Sequence, residues 1–232
     1  MRCRGIEMVS IYVAPGIYIV GGRDLTHPLD ENSYLILSKP PTLIDVGTGL
    51  GVHNLLRNIL ELRIIPSRIK YLVITHAHIW NAGGCRIFKD LTQCSTIAHY
   101  LDSLVLKQPK RELMDSEDQE PLPCSISIEV REEKKKLDVK ELDIELLHTP
   151  GHTKGSLSVI IENYSSRIAI VGGLLGPLSK KWYSSLEMWY RSLKKILSYD
   201  ADILCSGTQC IYGKDKVHKV LEDIMNKGAL WI

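Results

Sequence analysis

The chain has 232 residues, of which 44% are hydrophobic and 24% charged, and its formal net charge is +2. That length can bury one sizeable core, and the balanced charge gives no footprint for a nucleic-acid partner. No apolar run approaches the roughly 18 residues of a membrane helix, so a membrane partner is not expected.

Arg2 and Arg4 precede an apolar stretch from Met8, but Pro15 and Gly16 interrupt it. It reads as two strands and not as a signal peptide, so a cytoplasmic protein is expected. Apolar runs over 9–13, 17–20, 34–37 and 42–46, punctuated by Gly and Pro, predict four strands. Val52, Leu55, Leu56, Ile59 and Leu60 then recur at helical spacing. Residues 71–75 predict a short buried strand, and a helix follows over about 84–91. Residues 107–121 mix charge and Pro with few apolar positions and predict a surface excursion. The run from Arg131 to Lys136 predicts a solvated hairpin or turn.

The second half repeats the plan. Residues 125–130, 142–147, 157–161 and 168–171 predict strands. Ser184 with Glu187 resembles a capping box. Behind it Leu186, Trp189, Tyr190, Leu193, Ile196 and Leu197 line one helix face. Residues 203–205 predict another strand, and Val217, Val220, Leu221 and Ile224 a last helix. Strand blocks followed by helices, twice over, suggest an α/β fold with two sheets face to face and helices outside, an αββα sandwich forming a single domain over 1–232.

Cysteines stand at 3, 85, 94, 124, 205 and 210, with no C-x-x-C pair. A cysteine zinc site is therefore not expected. The thiols read as reduced and mostly buried; Cys205 and Cys210 are close enough to be bridged in a disulfide-tolerant cytosol.

Two segments carry chemistry. The first is Thr75-His76-Ala77-His78-Ile79-Trp80-Asn81-Ala82-Gly83-Gly84. Histidines at i and i+2 after a strand present both rings to one side, and convergent imidazoles make half of a zinc site. The second is His148-Thr149-Pro150-Gly151-His152-Thr153-Lys154-Gly155-Ser156. Together they resemble the metallo-β-lactamase superfamily, which carries T-H-x-H-x-D-H-x-G-G after one strand and T-P-G-H-T-x-G-S after another. The segments around Asn32 to Ile36, Leu43 to Gly47, Ile168 to Gly173 and Ile203 to Thr208 extend the resemblance over almost the whole chain.

The resemblance implies the four-layer αββα fold and a first metal on His76, His78 and His152. It also implies a buried structural aspartate at Asp45. All four positions of the family's second metal are substituted: Trp80, Asn81, Gly173 and Thr208 stand there. Loss confined to one ligand set implies a mononuclear zinc protein, with other divalent metals as alternatives. A metal-bound water would then attack an ester, thioester or amide-type small molecule, with reduced or narrow activity. A non-catalytic metal-binding or scaffold protein on the same fold stays open. Gly173 and Thr208 are smaller than the ligands they replace, so Trp80 is expected to pack beside the cleft and exclude a second ion. His148 and His99 read as packing or structural residues, and His27 as an exposed loop residue.

Overall fold

The computed structural model describes residues 9–116, 119–163 and 165–232. The readings of Arg2, Arg4 and Cys3 lie outside the described residues. One sheet runs in the order β1 (Ile11–Ala14), β2 (Ile17–Gly21), β3 (Ser33–Ile36), β4 (Thr42–Ile44), β5 (Tyr71–Val73), β6 (Ser95–His99) and β7 (Ile128–Val130). Its first four strands pair antiparallel, and β4 to β7 pair parallel. The other sheet contains β8 (Lys134–Lys136), β9 (Asp143–His148), β10 (Leu157–Glu162), β11 (Arg167–Val171), β12 (Ile203–Cys205) and β13 (Cys210–Tyr212), also in chain order across the sheet. Helices are α1 (Val52–Glu61), α2 (Ile79–Ala82), α3 (Cys85–Thr92), α4 (Tyr100–Lys107), α5 (Arg111–Met114), α6 (Leu186–Ser198) and α7 (Lys214–Lys227).

Period-two alternation sorts the apolar side chains into layers. Tyr34, Ile36, Tyr71 and Val73 from the first sheet meet Val159, Ile161, Ile168 and Ile170 from the second in the central core. Leu35, Leu72 and Ile74 face the opposite way, onto Leu55 and Ile59 of α1 and Phe88 of α3. Ile160, Ala169 and Val171 turn outward from the second sheet onto Trp189, Leu193 and Ile196 of α6 and Val217 and Leu221 of α7. The layers are therefore helix, sheet, sheet, helix. Each fully buried Ile or Leu here stabilises by about 1.5–3 kcal/mol, so both faces of each sheet are occupied.

Several boundaries differ from the sequence reading. β4 stops at Ile44 because Asp45 takes φ +56°. β7 covers only the last part of 125–130. Leu60, placed on the apolar face of α1, is exposed. The lysine run supplies β8, an arm of the β8–β9 hairpin at the sheet edge, where charge discourages pairing with other chains. The cap of α6 is Ser185, whose side chain accepts from Met188 N, and not Ser184.

The reduced-thiol expectation is corrected for four cysteines. Cys85 pairs with Cys124 and Cys205 with Cys210, while Cys94 is a buried free thiol. The fold brings the start of α3 against the segment before β7, 39 residues away in sequence, a proximity that spacing alone does not encode.

The chain leaves both sheets at one edge. After β5 it enters the first histidine segment, and after β9 the second. A bond from Leu157 N to Thr75 O, 2.8 Å, ties these exits together across the sheets.

Candidate metal centre

His76, His78 and His152 converge at that edge. Their ring centroids stand 4.7–4.9 Å apart, each pair near perpendicular. One nitrogen from each ring can be chosen so that all three lie within 4.8 Å of one another. All three residues are buried. Burial pushes the His76 and His78 pKa values well below the ordinary histidine range, and the neighbouring imidazoles add to it. Burial also lowers His152 to about 4, against the opposing Pro177 carbonyl. At neutral pH the rings are therefore uncharged, the form that ligates metal.

Hydrogen bonds set which nitrogen faces inward. His152 Nδ1 donates to Pro177 O at 2.7 Å, leaving the Nε2 lone pair toward the other rings. The Thr75 hydroxyl gives its single proton to Asp45 Oδ2 at 2.6 Å, so at 3.0 Å it accepts from His76 Nδ1. His76 thereby also presents Nε2. His78 Nδ1 stands 3.0 Å from His152 Nε2, and His78 Nε2 is buried with no hydrogen-bond partner. Two nitrogens on one tetrahedral zinc at 2.0–2.1 Å would stand about 3.3 Å apart. The spacing of His78 and His152 fits such an ion, which would take both lone pairs in place of the hydrogen bond that His78 Nδ1–H can otherwise donate to His152 Nε2.

Two buried carboxylates brace the histidine segments from behind. Asp45 accepts from Thr75 N (2.8 Å), Thr75 Oγ1 and Asn81 Nδ2 (3.0 Å). Burial raises its pKa to about 7, with the Thr75 and Asn81 bonds opposing. Asp102, at the start of α4, accepts from Ala77 N (2.8 Å), Thr153 Oγ1 (2.9 Å) and Gly155 N (2.8 Å). One carboxylate thus joins the residue between His76 and His78 to the residue after His152. Burial raises its pKa to about 6. A Cβ at Gly155 would lie 2.7 Å from Asp102 N, so only glycine lets the segment approach this closely. Ser184, displaced from its expected capping role, donates to His152 O at 2.6 Å.

The second-metal positions are filled in a specific way. Trp80 is half-buried, lines the cleft, and sets its ring edge-on to His78 at 6.2 Å. Asn81 is buried and bonds Asp45. Gly173 does not leave room, contrary to expectation. A Cβ there would lie 2.7 Å from His152 Nε2, at φ +70°. The His152 ring occupies the volume that a side chain at 173 would need.

Sequence reasoning missed Trp182, Glu31 and Asp102. Trp182, on a short 3-10 turn over Lys180–Trp182, packs 4.3 Å from the His78 ring and 5.1 Å from His152. Glu31 lines the cavity of about 280 Å³ that the three histidines also line. Their sequence signals were weak: a tryptophan in a polar loop and two carboxylates outside either histidine segment. The 107–121 excursion contributes Asp115, Ser116 and Gln119 to an adjoining cavity of about 420 Å³, walled by Trp80 and Trp182. His99 caps α4 and stacks on His148 at 3.8 Å, away from the cleft. His27 is half-buried, and its Nδ1 accepts from Leu29 N.

The sequence pattern of the metallo-beta-lactamase superfamily matches residues 27–208, which include all three histidines. The chain belongs to that superfamily. A probable metallo-hydrolase of Methanocaldococcus jannaschii is 33% identical over 140 residues, 57% of this chain and 63% of that protein. An uncharacterized protein of Mycobacterium tuberculosis is 29% identical over 136 residues, 54% of this chain and 58% of that protein. The chain thus matches less than two thirds of the length of these relatives. Among solved structures, the metallo-beta-lactamase GOB-18 of Elizabethkingia meningoseptica superposes with a TM-score of 0.79, covering 98% of this chain and 94% of that one at 21% identity. A HARLDQ-motif mutant metallo-beta-lactamase of Cronobacter sakazakii gives 0.79 over 93% of each chain at 18% identity. Identities this low speak for the metallo-beta-lactamase fold alone. No helix among the described residues is long and apolar enough to cross a membrane.

Proposed function

We propose that the chain is a mononuclear, metal-dependent hydrolase that holds one zinc ion on His76, His78 and His152 and cleaves an ester, thioester or amide-type small molecule. The observation that carries this reading is the convergence of three buried, neutral imidazoles whose nitrogens lie within 4.8 Å of one another. Zinc in such a site supplies a Lewis acid that makes water nucleophilic near neutral pH. The chain's own residues supply the rest. Asp45 through Thr75, and Pro177 through its carbonyl, hold His76 and His152 in the ligand tautomer. Trp80, Trp182 and Leu175 give the cleft apolar walls that exclude water and suit an apolar acyl or leaving group.

With Trp80, Asn81, Gly173 and Thr208 at the second-metal positions, no residue set remains there to clamp a phosphodiester between two ions. The expected substrate is therefore a carbonyl compound. The cytoplasmic location expected from the sequence gains one condition, a compartment that tolerates the two disulfides.

The test is turnover of a panel of neutral aryl esters and thioesters by protein purified without chelators. Zinc-dependent hydrolysis that is lost on dialysis against a chelator and restored by zinc supports the reading. A zinc-loaded protein inactive across the panel would favour the non-catalytic scaffold.

A further inference from the structure

The cleft holds a carboxylate that neither histidine segment supplies. Glu31 enters from the loop between β2 and β3 and lines the same cavity as His76, His78 and His152. Its backbone N–H donates to Trp80 O at 3.1 Å, and the next residue, Asn32, donates to Gly207 O at 2.7 Å. The loop is therefore pinned to both cleft walls. Gly207 presents a bare Cα to the carboxylate. A Cβ there would collide with Glu31 Oε2 and lie 3.1 Å from the Glu31 Cβ.

Asn81 completes the placement. Its amide donates to Asp45 at 3.0 Å and is near enough to Glu31 to favour the charged carboxylate there. A residue at a second-metal position thus acts on two carboxylates that come from different parts of the chain. The charged and titratable groups around Glu31 are Arg23 on its own loop, Asp45 behind Asn81, Tyr34 on β3 and, lining the same cavity, the three histidines and Asp115. Burial raises the Glu31 pKa above the ordinary glutamate value, while Asn81 and Arg23 pull it back. A carboxyl in a cleft whose pKa is raised by burial is of the kind that transfers protons in catalysis.

Resting on the hydrolase reading above, we propose that Glu31 is the catalytic proton-transferring carboxylate of this cleft, serving where Trp80 replaces the family's aspartate. In the attack step the water oxygen bonds to the substrate carbonyl carbon, one water proton passes to a Glu31 oxygen, and the carbonyl π pair moves onto the carbonyl oxygen. On collapse that pair returns and the bond to the leaving oxygen, sulfur or nitrogen breaks with its electrons. Glu31 returns the proton to the leaving atom. Water and substrate become acid and alcohol, thiol or amine, and Glu31 ends as it began.

The test compares wild type, Glu31→Gln and Gly207→Ala. Glutamine keeps the size of the side chain and removes the proton acceptor. Alanine leaves Glu31 in the chain but displaces its carboxylate. Zinc content by elemental analysis should stay unchanged in both variants. Turnover of the same ester panel should fall about 10²–10⁴-fold in Glu31→Gln, with loss of the acidic limb of the kcat/KM profile. Gly207→Ala should fall in the same direction. A readout independent of turnover is the visible spectrum of the cobalt(II)-loaded protein against pH. Its titration midpoint should drop by roughly one unit when the Glu31 charge is removed. An active Glu31→Gln with wild-type kcat/KM, pH profile and cobalt midpoint overturns the inference and leaves the hydrolase reading standing. A wild type that binds neither zinc nor cobalt removes both.

Discussion

A Cβ placed on Gly173 would lie 2.7 Å from Nε2 of His152. The glycine is thus a condition for the present position of a candidate ligand. The same residue takes φ +70°, a region costly for side-chain-bearing residues. Gly173→Asp is expected to push His152 aside and weaken zinc retention at least about 10-fold, a distortion comparable to losing a ligand's support. The combined Trp80→Asp, Asn81→His, Gly173→Asp and Thr208→His variant should likewise fail to gain a second ion. Elemental analysis decides the matter, and two zinc ions per folded chain would show that the backbone still frames the ancestral pair.

Asp102 makes a second prediction. It joins Ala77, Thr153 and Gly155, so removing it leaves two buried backbone N–H groups without an acceptor, while the Thr153 hydroxyl keeps Ser156 Oγ at 2.8 Å. At about 1–3 kcal/mol for each unsatisfied buried group, Asp102→Ala should lose at least about 2 kcal/mol of unfolding free energy. Zinc affinity should fall about 10–100-fold, as for other residues that orient ligands from behind. Urea denaturation and competition with a zinc chelator measure the two effects. A variant with wild-type affinity would mean that the two histidine segments hold their geometry independently.

How much of this was legible beforehand follows from what each signal encodes. The alternating runs of β10 and β11 and the helical spacing of α6 record burial directly, so the sandwich could be read from them. His76, His78 and His152 could be read because each sits in a local segment with its own neighbours. Asp102 could not, because its three partners lie 25 to 53 residues away and its local sequence is an ordinary helix start. Cys85 and Cys124 were hidden for the same reason. The mistaken expectation of space at Gly173 arose from counting side-chain volume without knowing where the His152 ring lies.

The pH dependence of stability gives a third prediction. His99 stacks on His148 at 3.8 Å with the rings 7° from parallel. Burial lowers the His99 pKa to about 4, and His148 and Arg131 add to the effect; burial lowers His148 as well. A base with a depressed folded pKa takes up protons more readily when unfolded. Stability is therefore unaffected above the ordinary histidine value of about 6.5, falls as pH drops from there toward 4, and levels off below. The three cleft histidines act with the same sign, so the comparison is with His99→Asn, which keeps a side chain able to cap α4. Urea midpoints should fall more steeply with acid in the wild type than in this variant. Parallel curves between pH 6.5 and 4 would contradict the assignment.

That His76, His78 and His152 together hold a metal ion is tested most directly by elemental analysis of the protein purified without chelators, with His152→Ala prepared alongside. About one zinc per chain is expected in the wild type, from three histidines with one open position. Near-complete loss is expected in His152→Ala, with the far-ultraviolet circular dichroism of both proteins matching. A metal-free wild type that takes up no added zinc, or a variant that retains zinc as the wild type does, would contradict it.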